Sequence, residues 1–184
     1  GFTATNKLYG LLEIAATSYG YAMVTYVGQN LGAGKISRIK KGVRCAVFIG
    51  MITSLIIAAI MLLFGKMILS LFISGTPEEF EQTLQVAYFY LTVMSVCLPV
   101  LYILHVVRSA IQGMGDTVLP MLSGIAEFIM RTLSALLLPL IVGQTGIFFA
   151  EIMAWLGADI ILVISYFVKM HQLQQMEKEG VYER

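Results

Sequence analysis

Hydrophobic residues fall in five long segments that short polar stretches separate. The segments run over about residues 5–27, 42–73, 82–107, 118–142 and 147–170. An α-helix of about 20 residues, rising 1.5 Å per residue, crosses the roughly 30 Å of a bilayer's hydrocarbon. The pattern therefore predicts an all-α membrane protein with five transmembrane helices in a single domain over residues 1–170, followed by a polar tail over residues 171–184.

Composition supports a membrane environment and excludes a nucleic-acid partner. The chain is 58% hydrophobic and 12% charged, whereas soluble domains carry about 25% charged residues. Its formal net charge is only +1, so it lacks the broad positive field that attracts nucleic acid. Membrane lipids are the expected surroundings of most of the chain.

Charges between the segments predict an orientation. Bases cluster after the first segment, acids after the second, and Arg108 is assigned to the third connection. Because Lys and Arg accumulate on the cytoplasmic side, the first and third connections and the carboxy-terminal tail are predicted to be cytoplasmic in a multi-pass protein of the plasma membrane, the inner membrane of the cell. The bases of the first connection are Lys35, Arg38, Lys40, Lys41 and Arg44.

The glycine-rich stretch "GQNLGAGKIS" is not a phosphate-binding loop. A P-loop requires Ser or Thr directly after its Lys, but Ile36 follows Lys35, and the spacing of Gly28 and Gly34 is one residue too long. A tight turn at the membrane exit, with bases among anionic head groups, accounts for the stretch.

Four acids fall inside the predicted spans, where an ionisable group is costly: Glu13, Glu127, Glu151 and Asp159. Glu13 shares one helix face with other polar residues at intervals of four, namely Tyr9, Thr17, Tyr21 and Thr25. Such a face either exchanges a proton or sodium ion and attracts a cation, or makes structural hydrogen bonds to neighbouring helices.

The third segment carries a second polar stripe that either lines a cavity or packs against other helices. Pro99 interrupts this helix and predicts a kink. The stripe consists of Gln85, Tyr88, Thr92, Ser95 and Tyr102.

The remaining charges have structural interpretations. Glu127 and Arg131, four residues apart, are expected to form an ion pair. Asp159 is either a secondary ion relay or the partner of a base on another helix. Glu151 is expected near head groups, and Arg108 and Asp116 are expected to shape the third connection against the basic stretch. No catalytic motif and no ligand spacing for a metal is present, so neither an enzyme nor a bound cofactor is predicted.

Two motifs resemble those of the multidrug and toxic compound extrusion transporters, the MATE family. "VGQNLGAGKISRIKKG" is similar to the cytoplasmic loop after the second helix of a lobe, and "VVRSAIQGMGDTVLPMLSGIAEFIMR" is similar to a later stretch of the family. The residues of the cytoplasmic loop motifs that carry the resemblance are Gln29, Asn30, Gly32, Gly34, Lys35, Arg108, Gln112, Gly113, Gly115 and Asp116.

The resemblance implies twelve helices in two lobes, with the five segments corresponding to helices 8–12. The partner would then be the amino-terminal lobe of the same transporter, absent from this sequence. It implies secondary active efflux of organic cations or amphipathic drugs in exchange for protons or sodium. Many relatives would have an acid on the third segment, but this chain has none between Gln82 and Val107, so Glu13 becomes the leading ion-coupling residue.

Two alternatives stay open. A flippase or exporter of lipid-linked glycans would have a related fold, but its cavity should contain several bases, and only Arg131 lies in mid-span. A non-transporting membrane interaction module is the other alternative.

Overall fold

A computed structural model describes residues 2–73 and 76–179, with the side chains of residues 2–7, 9, 11 and 144 outside the description. The described chain folds into six α-helices and one short 3₁₀ helix. The α-helices are α1 Phe2–Gly32, α2 Ile36–Ser70, α3 Pro77–Val96, α4 Leu98–Gly113, α5 Val118–Val142 and α6 Ala150–Lys178; the 3₁₀ helix is Gln144–Phe149. The predicted all-α membrane class is confirmed.

Helix α4 is the centre of the bundle. It packs against α1, α2 and α6, and nine of its 16 residues are buried. Its largest core neighbour is Trp155 of α6, which is 1% exposed and shares one cluster with Leu101 and Tyr102. Apolar side chains that reach α4 therefore lie in the buried core of the described bundle.

Fewer helices qualify as membrane spans than the predicted five. By length and composition three helical stretches of the described residues qualify, namely Ile36–Ser70, Val118–Val142 and Thr145–Lys178, and a bent pair, α3 with α4, makes a fourth. Helix α1 has 31 residues, so length is not its shortcoming. Its Thr, Ser, Tyr, Asn and Gln side chains make it too polar for the same criterion, and the prediction of five spans is not confirmed.

The predicted kink in the third segment is present. Helix α3 ends at Val96 and α4 begins at Leu98, with an angle of 48° between them. Pro99 lies in the first turn of α4, where its missing N–H costs nothing because first-turn amides have no partner within the helix.

The first connection is shorter than predicted, and its bases lie on a helix. Only residues 33–35 separate α1 from α2, and Gly34 makes the reversal with φ 67°, a conformation that glycine adopts without strain. Lys40, Lys41 and Arg44 therefore belong to the first turns of α2 and not to a loop. Lys and Arg are good helix formers, so nothing prevents the helix from starting early.

Helix α5 presents a broad apolar surface. Phe128, Leu136 and Leu140 are 68%, 66% and 82% exposed. Large apolar residues on the surface of a membrane bundle face lipid or another helix, so this side of α5 is an outer surface of the described bundle.

Close packing of α1 on α4 depends on Gly113. A Cβ added there would lie 2.8 Å from both the Val24 carbonyl oxygen and the Val27 Cβ. We expect Gly113→Ala to push the two helices apart and to lower the free energy of unfolding by about 1–3 kcal/mol. Thermal unfolding of the detergent-purified protein measures this.

Gly124→Ala is the matched control, because a Cβ at Gly124 meets nothing within 4 Å. Alanine there should be neutral or stabilising, since it favours a helix over glycine. Equal stability of the two variants would contradict the close packing.

Candidate functional site: a charge network between helices

Glu127 joins two helices by pairing with two arginines. Its Oε2 accepts a hydrogen bond from Arg108 Nη2 of α4 at 2.8 Å, and its Oε1 accepts one from Arg131 Nη2 of α5 at 2.8 Å. The pair expected from the four-residue spacing is thus half of a larger arrangement. Arg108 also donates from Nε to Ser123 Oγ at 3.3 Å.

Arg131 extends the network to a third helix. Its Nη2 lies 2.9 Å from Glu151 Oε2, in the first turn of α6. The expected position of Glu151 near head groups stays a prediction; in the structure its carboxylate contacts Arg131. Shared ion pairs of this kind offset the cost of holding each charge away from water.

Asp159 lies beside this network without an ion pair among the described residues. It is 9% exposed, and its Oδ1 has no hydrogen-bond partner in the part of the chain described. Arg108 and Glu127 are within electrostatic range of it. Asp159 comes eight residues after Glu151 on α6, so the two carboxylates are separated by about 12 Å along the helix axis.

Glu13 approaches the other end of the network. It is half-buried on α1 and lies within electrostatic range of Glu151. The acidic groups therefore follow one another from Glu13 through Glu151 and Glu127 to Asp159, and four helices contribute to the arrangement.

The network has more acids than bases. Among the described side chains of the network, four are acids, Glu13, Glu127, Glu151 and Asp159, and two are bases, Arg108 and Arg131, which is an excess of two carboxylates. Arginine does not release its proton in proteins, so any proton or cation taken up must be held by a carboxylate. Glu127 is engaged by both arginines, which leaves Glu13 and Asp159 as the acids best placed to accept one.

Asp116 anchors the turn next to this site. Its Oδ1 accepts hydrogen bonds from the backbone N–H groups of Val118 and Leu119 at 3.0 and 3.1 Å, and its Oδ2 lies 2.8 Å from Lys169 Nζ of α6. The Lys169 ammonium and these amides lower the pKa of Asp116. The predicted contact of Asp116 with the basic stretch is not formed, because Lys169 occupies the carboxylate.

Comparison with protein-family models gives one match, MatE, over residues 1–137. That match covers most of the chain. The chain belongs to the MatE family. Neither the comparison with curated proteins nor that with solved structures found a match. MatE members are membrane transporters, so the charge network belongs to the membrane domain of a transporter.

The MatE-like motif residues lie mostly on helices and not in loops. Gln29, Asn30 and Gly32 form the end of α1, and Asn30 Nδ2 donates to the Tyr26 carbonyl at 2.8 Å. Gly34 and Lys35 lie in the short connection between α1 and α2. On the second motif, Arg108, Gln112 and Gly113 are in α4, while Gly115, with φ 83°, and Asp116 are in the turn before α5.

The polar face predicted around Glu13 is only partly described. Tyr9 is outside the described side chains. Thr17 donates to the Ile14 carbonyl at 2.9 Å, and Thr25 donates to the Tyr21 carbonyl at 3.2 Å, so both hydroxyls are satisfied within α1. Tyr21 is 77% exposed and points away from the described bundle.

The second predicted stripe is divided by the bend. Gln85 is exposed, Tyr88 donates to the Leu62 carbonyl of α2 at 2.8 Å, and Thr92 donates to the Tyr88 carbonyl at 2.8 Å. Ser95 and Tyr102 are buried, and neither hydroxyl has a hydrogen-bond partner among the described residues. The five residues therefore do not line one surface.

Sequence reasoning missed the parts of the network that depend on neighbouring helices. Hydropathy places Arg108 in a connection, and no partner on another helix is predicted for Glu151 or Lys169. One signal was available: Arg108 directly follows the apolar run that ends at Val107, and a base at the end of a span is often paired with an acid on another helix.

Removal of the shared carboxylate should weaken the whole arrangement. Glu127→Gln leaves Arg108 and Arg131 facing each other without a negative charge between them. We expect a loss of about 3 kcal/mol in the free energy of unfolding, the range for breaking a partly buried pair, measured by unfolding in mixed detergent micelles.

Glu81→Gln serves as the control, since Glu81 is exposed on α3 and its removal should change stability by less than about 0.5 kcal/mol. If both variants unfold at the same detergent ratio, the network does not stabilise the bundle.

Proposed function

We propose that the protein is part of a secondary active exporter of organic cations or amphipathic drugs, driven by inward flow of protons or sodium ions. The observation that supports this most directly is the excess of carboxylates in the network. A membrane site with more acids than bases attracts a cation or retains a proton, and the drug and the ion compete for the same negative charge.

Glu13 and Asp159 are the proposed ion-carrying residues. Asp159 is buried beside Arg108 but makes no ion pair among the described residues, so the charge on its carboxylate is incompletely balanced. Glu13 lies on α1, which does not qualify as a span by composition and whose Tyr21 side is open in the described bundle. A protonation change at either acid alters the charge that Arg108 or Arg131 experiences, which links ion binding to the contacts between α4, α5 and α6.

An aromatic partner for a cationic drug is available near Glu13. Tyr21 lies two helical turns from it, about 12 Å along α1, on the exposed side of the helix, and a tyrosine ring attracts a cation through its negative π-face. We propose that substrate approaches the open side of α1, where the amino-terminal lobe of the transporter would complete the cavity.

Efflux of ethidium from cells tests the proposal with the full-length transporter. Glu13→Gln should reduce gradient-driven efflux by about tenfold, a typical coupling effect, because a neutral amide does not exchange a proton or ion. Imposed proton and sodium gradients are compared separately, and the gradient that accelerates efflux identifies the coupling ion.

Glu78→Gln, an exposed change at the start of α3, controls for expression and for charge. Unchanged efflux in the Glu13 variant would remove this residue from the mechanism. Efflux that responds to neither gradient in the parent protein would reject ion exchange.

A further inference from the structure

A cleft of about 430 Å³ opens between α2 and α6, and no residue of α1 is among those that line it. Both helices pack on α4 but have few contacts with each other, so α4 forms the floor of the cleft with Ile103 and Val107. Val107 and Met170, at the bottom, are 5% and 3% exposed. The cleft is therefore a fixed groove in the bundle surface.

The rim of the cleft is basic. Lys40 and Arg44, one turn apart on α2, face His171 of α6, and no acidic residue is among the described side chains that line it. Arg44 lies within electrostatic range of Tyr166 on the opposite wall. Lys40, Arg44 and His171, together with the amide of Gln174, thus lie at one end of a mostly apolar space.

The apolar part extends inward from that rim. On α6 the lining runs from His171 back to Val163, a distance of about 12 Å along the helix. Phe167 and Val47 form the sides. A ligand that fits has an anionic head for the bases and a hydrocarbon chain for the groove.

We propose that this cleft binds one anionic phospholipid, with its phosphate held by Lys40, Arg44 and His171 and an acyl chain against Val47, Val107 and Phe167. The bases are on the first turns of α2, where a span meets the head-group layer, and basic pockets between spans at that level recognise anionic lipid heads. The matching of charge to charge and of chain to groove favours a lipid over a soluble anion.

A second groove provides a contrast within the same helix. It lies between α1 and α2 and contains Lys41 but no other base. Lys41 therefore lies at the same depth along α2 as Lys40 but outside the cleft. Arg38 is exposed and lines neither groove.

The experiment uses the purified full-length transporter in detergent, with phosphatidylglycerol or phosphatidylcholine added and binding followed by native mass spectrometry. Phosphatidylglycerol should bind the parent protein in preference to phosphatidylcholine. Lys40→Gln/Arg44→Gln should weaken it by about 30-fold, the effect of two bases at about 1 kcal/mol each. Arg38→Gln/Lys41→Gln removes the same charge from the same helix and should weaken it by less than about threefold, because its bases lie outside the cleft.

Two further arms separate the alternatives. Val47→Trp fills the groove without changing charge and should also reduce binding, which keeps the proposal testable if the double variant does not fold. Glycerophosphoglycerol, the head group without chains, should not compete. The proposal is overturned if the two charge pairs have equal effects, if the free head group competes, or if lipid binding survives both cleft variants. The last result is expected if another protein segment fills the cleft.

Discussion

An ionised side chain within a membrane bundle requires an opposite charge, and this requirement determines how α4, α5 and α6 meet. Glu127 satisfies it for two arginines at once, at 2.8 Å each, and Arg131 passes the contact to Glu151 at 2.9 Å. Apolar packing brings α4 and α6 together around Trp155, but apolar contacts are poorly directional in lipid. The ion pairs add directional contacts between α4, α5 and α6.

The same arrangement relates structure to transport. Because Arg108 and Arg131 share Glu127, a change in charge at Asp159 or at Glu151 alters the electrostatic balance at these arginines. Acids that do not contact each other are therefore coupled without a proton passing between them. Helices that have two arrangements of such pairs change their packing when a cation binds or leaves. Membership of the MatE family provides the transporter context, and the excess of acids provides the means of ion coupling that we propose.

The sequence predicted the class of the protein and much of its local structure. Hydrophobic length located the helices, Pro99 predicted the bend, and the Glu127–Arg131 spacing predicted one ion pair, because each depends on residues close together in the chain. Arg108–Glu127 and Asp116–Lys169 depend on residues 19 and 53 positions apart, and no periodicity contains that information. The polarity of α1 also mattered: its Thr and Tyr residues keep it outside the helices that qualify as spans, and a hydropathy profile does not say what such residues contact.

The most direct test of a single charge network is a double-mutant cycle between Arg108 and Arg131, which interact only through Glu127 among the described ion pairs. The free energy of unfolding is measured for Arg108→Gln, Arg131→Gln and the double variant in mixed detergent micelles. If Glu127 is shared, the second substitution leaves it with no base, and the double variant should be less stable than the sum of the single effects by at least about 0.5 kcal/mol. Effects that add to within about 0.3 kcal/mol would show that the two ion pairs act independently.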